Sequence, residues 1–137
     1  MRPPRKGDND GVITGIRFAT VYVRDQDRAL EFWTTKLGGT VQLDSPMGDD
    51  PKGPRWIEVK LPGETYLVIF DVTAGPGGDD REGMSNLWFQ SDDLDATYAD
   101  LSARGVEFPV PPQEAPWDPS QRWAQFTDPD GHIYGLS

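Results

Sequence analysis

Residues 16–38 read IRFATVYVRDQDRALEFWTTKLG. From Ile16 to Val23 the side chains alternate with period two and are rich in β-branched and aromatic residues, the pattern of a strand with one packed face. Asp25 or Asp27 then offers a helix cap, and Leu30, Trp33 and Leu37 recur at helical spacing. Gly38-Gly39 ends the helix, because glycine tolerates the left-handed backbone a helix stop uses. Downstream, Thr40 to Asp44 predicts a short strand, and residues 45–54 a loop rich in Pro, Gly and Asp. Trp56 to Leu61 and Thr65 to Val72 predict a hairpin around Pro62-Gly63. The unit is one strand, one helix and three strands.

The same order returns from LWFQSDDLDATYADLSARG at residues 87–105. Leu87 to Ser91 reads as a strand. Asp93 to Arg104 reads as a helix with an acidic start and a basic end, stopped by Gly105. Val106 to Val110 predicts a strand, residues 111–120 a loop, and Arg122 to Thr127 with His132 to Leu136 a pair around the turn Asp128-Pro-Asp-Gly131. Asp25 and Asp93, about 68 residues apart, open the two helices. An internal duplication of a βαβββ unit is the economical explanation. It divides the chain into an arm at 1–13, a first module at 14–72, a linker at 73–84 and a second module at 85–137, one α+β domain overall. The Gly-Pro-Gly-Gly of the linker is not a phosphate loop, since no helix follows and Asp79-Asp80 would repel phosphate.

Composition narrows the function. With 137 residues the chain buries roughly 68–70% of its unfolded surface and folds without staples. Thirteen basic against 23 acidic residues leave a net charge of −10, which repels phosphate and argues against nucleic acid and anionic membranes as partners. A cationic or neutral small molecule stays compatible. The chain has no cysteine, so disulfides, thiolate metal sites and thiol nucleophiles do not arise. His132 is its one histidine, and no multi-histidine metal site forms within one chain. The polar first ten residues and apolar runs far shorter than about 18 residues predict neither a secretory signal nor a membrane span, so a cytoplasmic location is expected.

Taken with Ala29-Leu-Glu-Phe-Trp33, Leu37-Gly38, Leu87 to Asp95, Gly105-Val106 and Asp128 to Gly131, the quoted stretches resemble the vicinal oxygen chelate superfamily of glyoxalases, bleomycin-resistance proteins and dioxygenases. The resemblance spans residues 14–136. It implies two tandem βαβββ modules forming a curved sheet around a concave cavity, in a homodimer, with the N-terminal arm able to cross to the partner. Metal-dependent members hold their ion from four positions on that concave face. Carried over, these fall on Phe18, Leu67, Asn86 and Gly135. Only Asn86 suits a hard cation, and one neutral amide does not hold one, so neither a metal nor another cofactor is expected.

Strand alternation then lists the side chains facing the cavity. From the first strand come Phe18, Thr20 and Tyr22, and from the hairpin Trp56 and Glu58, then Leu67 and Ile69. The second module adds Asn86, Trp88 and Gln90, then Trp123 and Gly135; Lys60, Gln125 and Ile133 share the same parity. Trp33 is assigned to the core, Trp117 to the rim, and His132 to the helix-facing side beside a turn. An aromatic, amide-rich lining with Glu58 near its centre suits a flat molecule held by stacking and a few hydrogen bonds. The resemblance to antibiotic-resistance members implies a metal-independent protein that sequesters a planar hydrophobic or cationic natural product. One alternative is a metal-free isomerase, cyclase or lyase with Glu58 as general base and Tyr22 or Asn86 polarising a carbonyl. A metal-dependent glyoxalase or dioxygenase fits less well, and an interaction module whose cavity is filled by its own side chains is the remaining reading. No catalytic residue is assigned unless Glu58 serves as that base.

Overall fold

A computed structural model describes residues 16–74 and 83–137; the expected arm and all but the ends of the expected linker lie outside the described residues. The first module comprises β1 (Ala19–Val23), α1 (Gln26–Glu31), β2 (Thr40–Pro46), β3 (Arg55–Lys60) and β4 (Tyr66–Asp71). In the second come β5 (Gly83–Phe89), α2 (Leu94–Ala103), β6 (Val110–Ala115), β7 (Asp118–Thr127) and β8 (His132–Leu136). The helix signals work as written. The Asp25 carboxylate accepts from the Arg28 N–H and the Asp93 carboxylate from the Ala96 N–H, both at 3.1 Å. Gly38 and Gly105 end the helices at φ +82° and +89°, which an L side chain rarely adopts. α1 runs on into one wider, π-helical turn, Phe32–Lys36, that carries Trp33.

The two expected βαβββ modules form, within this chain, two four-stranded sheets of orders β1-β4-β3-β2 and β5-β8-β7-β6. In each, the strand before the helix pairs in parallel with the last strand, and the remaining neighbours are antiparallel. A single hydrophobic cluster serves both modules. Trp33, with no exposure, reaches from the first module to Phe89, Phe126 and Tyr134 of the second at ring distances of 5.5, 6.5 and 5.4 Å. Polar ties cross as well: Asp130, buried, accepts from the Arg24 N–H and the Arg28 guanidinium, both at 3.2 Å.

Local strand limits are corrected. The strand expected at Leu87–Ser91 runs from Gly83, inside the expected linker, to Phe89. The strand expected at 106–110 forms at Val110–Ala115, and β7 begins at Asp118, where a loop was expected. Pro111 and Pro112 suggested a loop, but β6 is an edge strand, where a missing N–H donor is tolerated. No helix among the described residues is long and apolar enough to cross a membrane.

Candidate functional site

Cross-strand register assigns the faces. β1 and β4 pair Ala19 with Leu67 and Val21 with Ile69, while β3 and β4 pair Ile57 with Ile69 and Val59 with Leu67. Directly paired residues point to the same side of a sheet. Leu67 and Ile69 therefore lie in the core with Val21, Ile57 and Val59, and neither has any exposure. Their expected place on the ligand face is corrected. Tyr66, Val68 and Phe70 occupy the opposite face of β4, Val68 being itself buried there. Tyr66 to Phe70 is an unbroken apolar run with no alternation of its own, so its neighbours set its phase.

That outer face of the first sheet carries a row of rings. Tyr22 meets Phe70 edge-to-face at 5.8 Å, Phe70 meets Trp56 at 6.3 Å, and Trp56 meets Phe18 at 5.8 Å. The Trp56 indole N–H donates to Glu58 Oε2 at 2.8 Å. Thr20 pairs with Val68, and Val68 with Glu58, so Thr20 and Glu58 share a row across the sheet with the exposed Leu43 beyond them. Phe70 was missed; its pairing with Tyr22 is set by the parallel register of β1 on β4.

On the second sheet Gly135 pairs with Trp88 and Gln125, and Trp123 with Gln113. The Trp88 indole lies directly on Gly135, where a Cβ would overlap three of its ring atoms. Trp88 is 50% exposed and stands 6.2 Å from the Trp123 ring. Both rings help to line a cavity of about 200 Å³, with Ala115, Trp117, Gln121, Arg122 and Ser137. Trp117 is indeed a rim residue, 70% exposed, and Arg122 is held by Asp95 at 2.8 Å. The Trp123 indole N–H is buried without a hydrogen-bond partner. Gln90 follows the end of β5 and is exposed; Asn86 lies within β5, and its side chain falls outside the described residues. Among the described residues no ring contact joins the first aromatic row to the second. The expected lining thus forms two sets in one chain.

Gly135→Ala should push the Trp88 ring off the sheet, at about 1–3 kcal/mol for overpacking. Pairing it with Trp88→Ala should restore most of that loss in a thermal double-mutant cycle. Additive losses would mean that the ring does not rest on Gly135.

The positions at which related folds hold a metal do not fit one here. The Phe18 ring packs on Trp56, Leu67 is in the core, and Gly135 lies under an indole. No group of three or more His, Cys, Asp or Glu among the described residues could hold a metal ion. His132, buried at the start of β8, belongs to the closing turn. Asp128 Oδ1 accepts the N–H groups of Asp130 and His132 at 2.9 and 3.0 Å, and its Oδ2 accepts the Tyr134 hydroxyl at 2.8 Å and lies 3.5 Å from His132 Nδ1. Burial first, then the Asp128 charge, pushes the Tyr134 phenol far above its usual range.

This architecture has known relatives. The family model described as Glyoxalase/Bleomycin resistance protein/Dioxygenase superfamily matches residues 15–134. The Bacillus subtilis (strain 168) protein YetH is 34% identical over 126 residues, covering 91% of this chain and 98% of YetH. A superfamily member of solved structure from Sphaerobacter thermophilus superposes with TM-score 0.78 at 33% identity, over 90% of this chain and 96% of the other. TnmS3, an antibiotic binding protein from Streptomyces sp. CB03234, does so with TM-score 0.69 at 34% identity, over 91% and 95%. With the duplicated βαβββ order and a family match over nearly its whole length, the chain belongs to the glyoxalase/bleomycin resistance protein/dioxygenase superfamily.

Proposed function

We propose that this protein binds and sequesters a planar hydrophobic or cationic natural product in the cytoplasm, as a homodimer and without a metal. The observation that carries this reading is the Trp88 indole laid flat on Gly135, half in water, beside Trp123 at the mouth of a cavity. A large ring held at a defined angle yet open on one side is a stacking platform, because offset or edge-on ring pairs gain about 0.5–1.5 kcal/mol beyond their buried area. The cavity of about 200 Å³ is smaller than the roughly 300–1,000 Å³ usual for ligand pockets. A second copy laying its Phe18–Trp56–Phe70–Tyr22 row over the tryptophans would complete the enclosure. TnmS3, an antibiotic binding protein at 34% identity, supports the ligand class, and the net charge of −10 favours cations at the surface.

The test is a titration of intrinsic tryptophan fluorescence with a panel of planar and cationic natural products, with sedimentation velocity on the same samples. Saturable quenching at micromolar concentration or below, compound recovered unchanged and a dimer mass are expected. Trp88→Ala should weaken binding about tenfold or more, equivalent to about 1.4 kcal/mol. A panel that neither quenches nor raises the melting temperature would sink the proposal, since a ligand of the native state must stabilise it. Recovery of a changed compound would instead make Glu58 the general base of a metal-free enzyme.

A further inference from the structure

We infer that the outer face of the first sheet carries an ammonium subsite at Glu58, so that the molecule taken up joins a flat ring to a protonated aliphatic amine; this rests on the ligand-binding reading above. Glu58 is half-buried on β3 and makes no ion pair among the described residues. The cations beside it on the strand are committed elsewhere. Arg55 binds Asp27 at 2.9 Å and Asp44 at 3.0 Å, and Lys60 donates to the Gly63 carbonyl at 2.8 Å. Its carboxylate is therefore a charge open to pairing with a cation supplied from outside the chain.

The geometry selects the kind of cation. Glu58 Oε2 accepts from the Trp56 indole, which anchors the carboxylate and leaves Oε1 without a partner among the described residues. A guanidinium prefers to bridge both oxygens of a carboxylate, whereas an ammonium is a point donor that one free oxygen satisfies. A metal ion would need several oxygen ligands, and none converges here. The rings add to the attraction, since an ammonium within about 6 Å of an aromatic centroid is drawn to the ring face. The exposed Arg17 already sets its guanidinium carbon 5.9 Å from the Phe18 centroid, so a cation approaching from solvent finds a ring face at this edge of the row.

Isothermal titration of 1-naphthylmethylammonium against its neutral N-acetyl counterpart tests this directly. The amine should bind the wild-type protein about tenfold or more tightly than the amide, with the preference shrinking as salt is raised. In Glu58→Gln, whose amide oxygen still accepts from Trp56, the preference should vanish while the amide's affinity is unchanged. Glu64→Gln, an exposed change of equal charge, should leave the preference intact, and melting curves establish that both variants are folded. Equal binding of the two compounds by wild type, or a preference that survives Glu58→Gln, overturns the ammonium subsite and leaves ring binding standing. Binding of neither compound at millimolar concentration overturns both the subsite and the ligand-binding reading beneath it.

Discussion

Trp33→Ala should lower the unfolding free energy by about 3–5 kcal/mol, the range for deleting a buried aromatic side chain. For a domain of this size that is a fall in melting temperature on the order of 10–20 °C. The indole has no exposure and touches the rings of Phe32, Phe89, Phe126 and Tyr134, so its loss leaves a cavity where the modules meet. Its N–H is buried without a partner, which already costs the folded state about 1–3 kcal/mol. Trp33→Phe removes that orphan donor while keeping an aromatic ring, and it should cost less than half as much. Calorimetry on the two variants decides the matter. A Trp33→Ala protein melting within about 2 °C of wild type would mean that the modules are joined by something else.

Asp128→Ala should be of comparable size. The carboxylate is buried and serves the N–H groups of Asp130 and His132 and the hydroxyl of Tyr134. Removing it strands three donors at about 1–3 kcal/mol each, a loss of about 3 kcal/mol or more. Asp128→Asn keeps one oxygen for the backbone donors and should cost less. The same turn imposes a pH dependence. The Tyr134 phenol titrates above its ordinary value near 10, so its stabilising contribution is complete below that pH. As pH rises further, the unfolded phenol ionises first and stability falls. Denaturant titrations between pH 9 and 11.5 should show a shallower decline for Tyr134→Phe than for wild type; parallel declines would refute the assignment to this residue.

Much of the fold was legible because its signals are short-range. A cap reaches three residues, as Asp25 to Arg28 and Asp93 to Ala96 show, and a glycine stop acts on its own φ. The duplication followed from those signals recurring in order. Trp33 in the core was legible from helical spacing, and Trp117, in the stretch expected as a loop, is exposed at the rim. Strand limits in 106–120 were not, because prolines tolerated on an edge strand look locally like a loop.

The candidate site was legible only in part, and the division is physical. Where polar and apolar residues alternate, as in β1, β3 and β7, a strand states its own parity, and Tyr22, Trp56, Glu58 and Trp123 fall on the outer faces as read. Where the strand is apolar throughout, as at Tyr66 to Phe70, parity belongs to the pairing, and the register with Val21 and Ile57 turned Leu67 and Ile69 inward. The amino-acid order settles caps, stops and alternation, which are interactions between near neighbours. The contacts of Trp88 with Gly135, of Trp33 with the second sheet and of Asp130 with Arg28 join residues far apart in the chain. Those exist only once the two sheets have packed on a shared core, because no local pattern encodes which distant surface a side chain will meet.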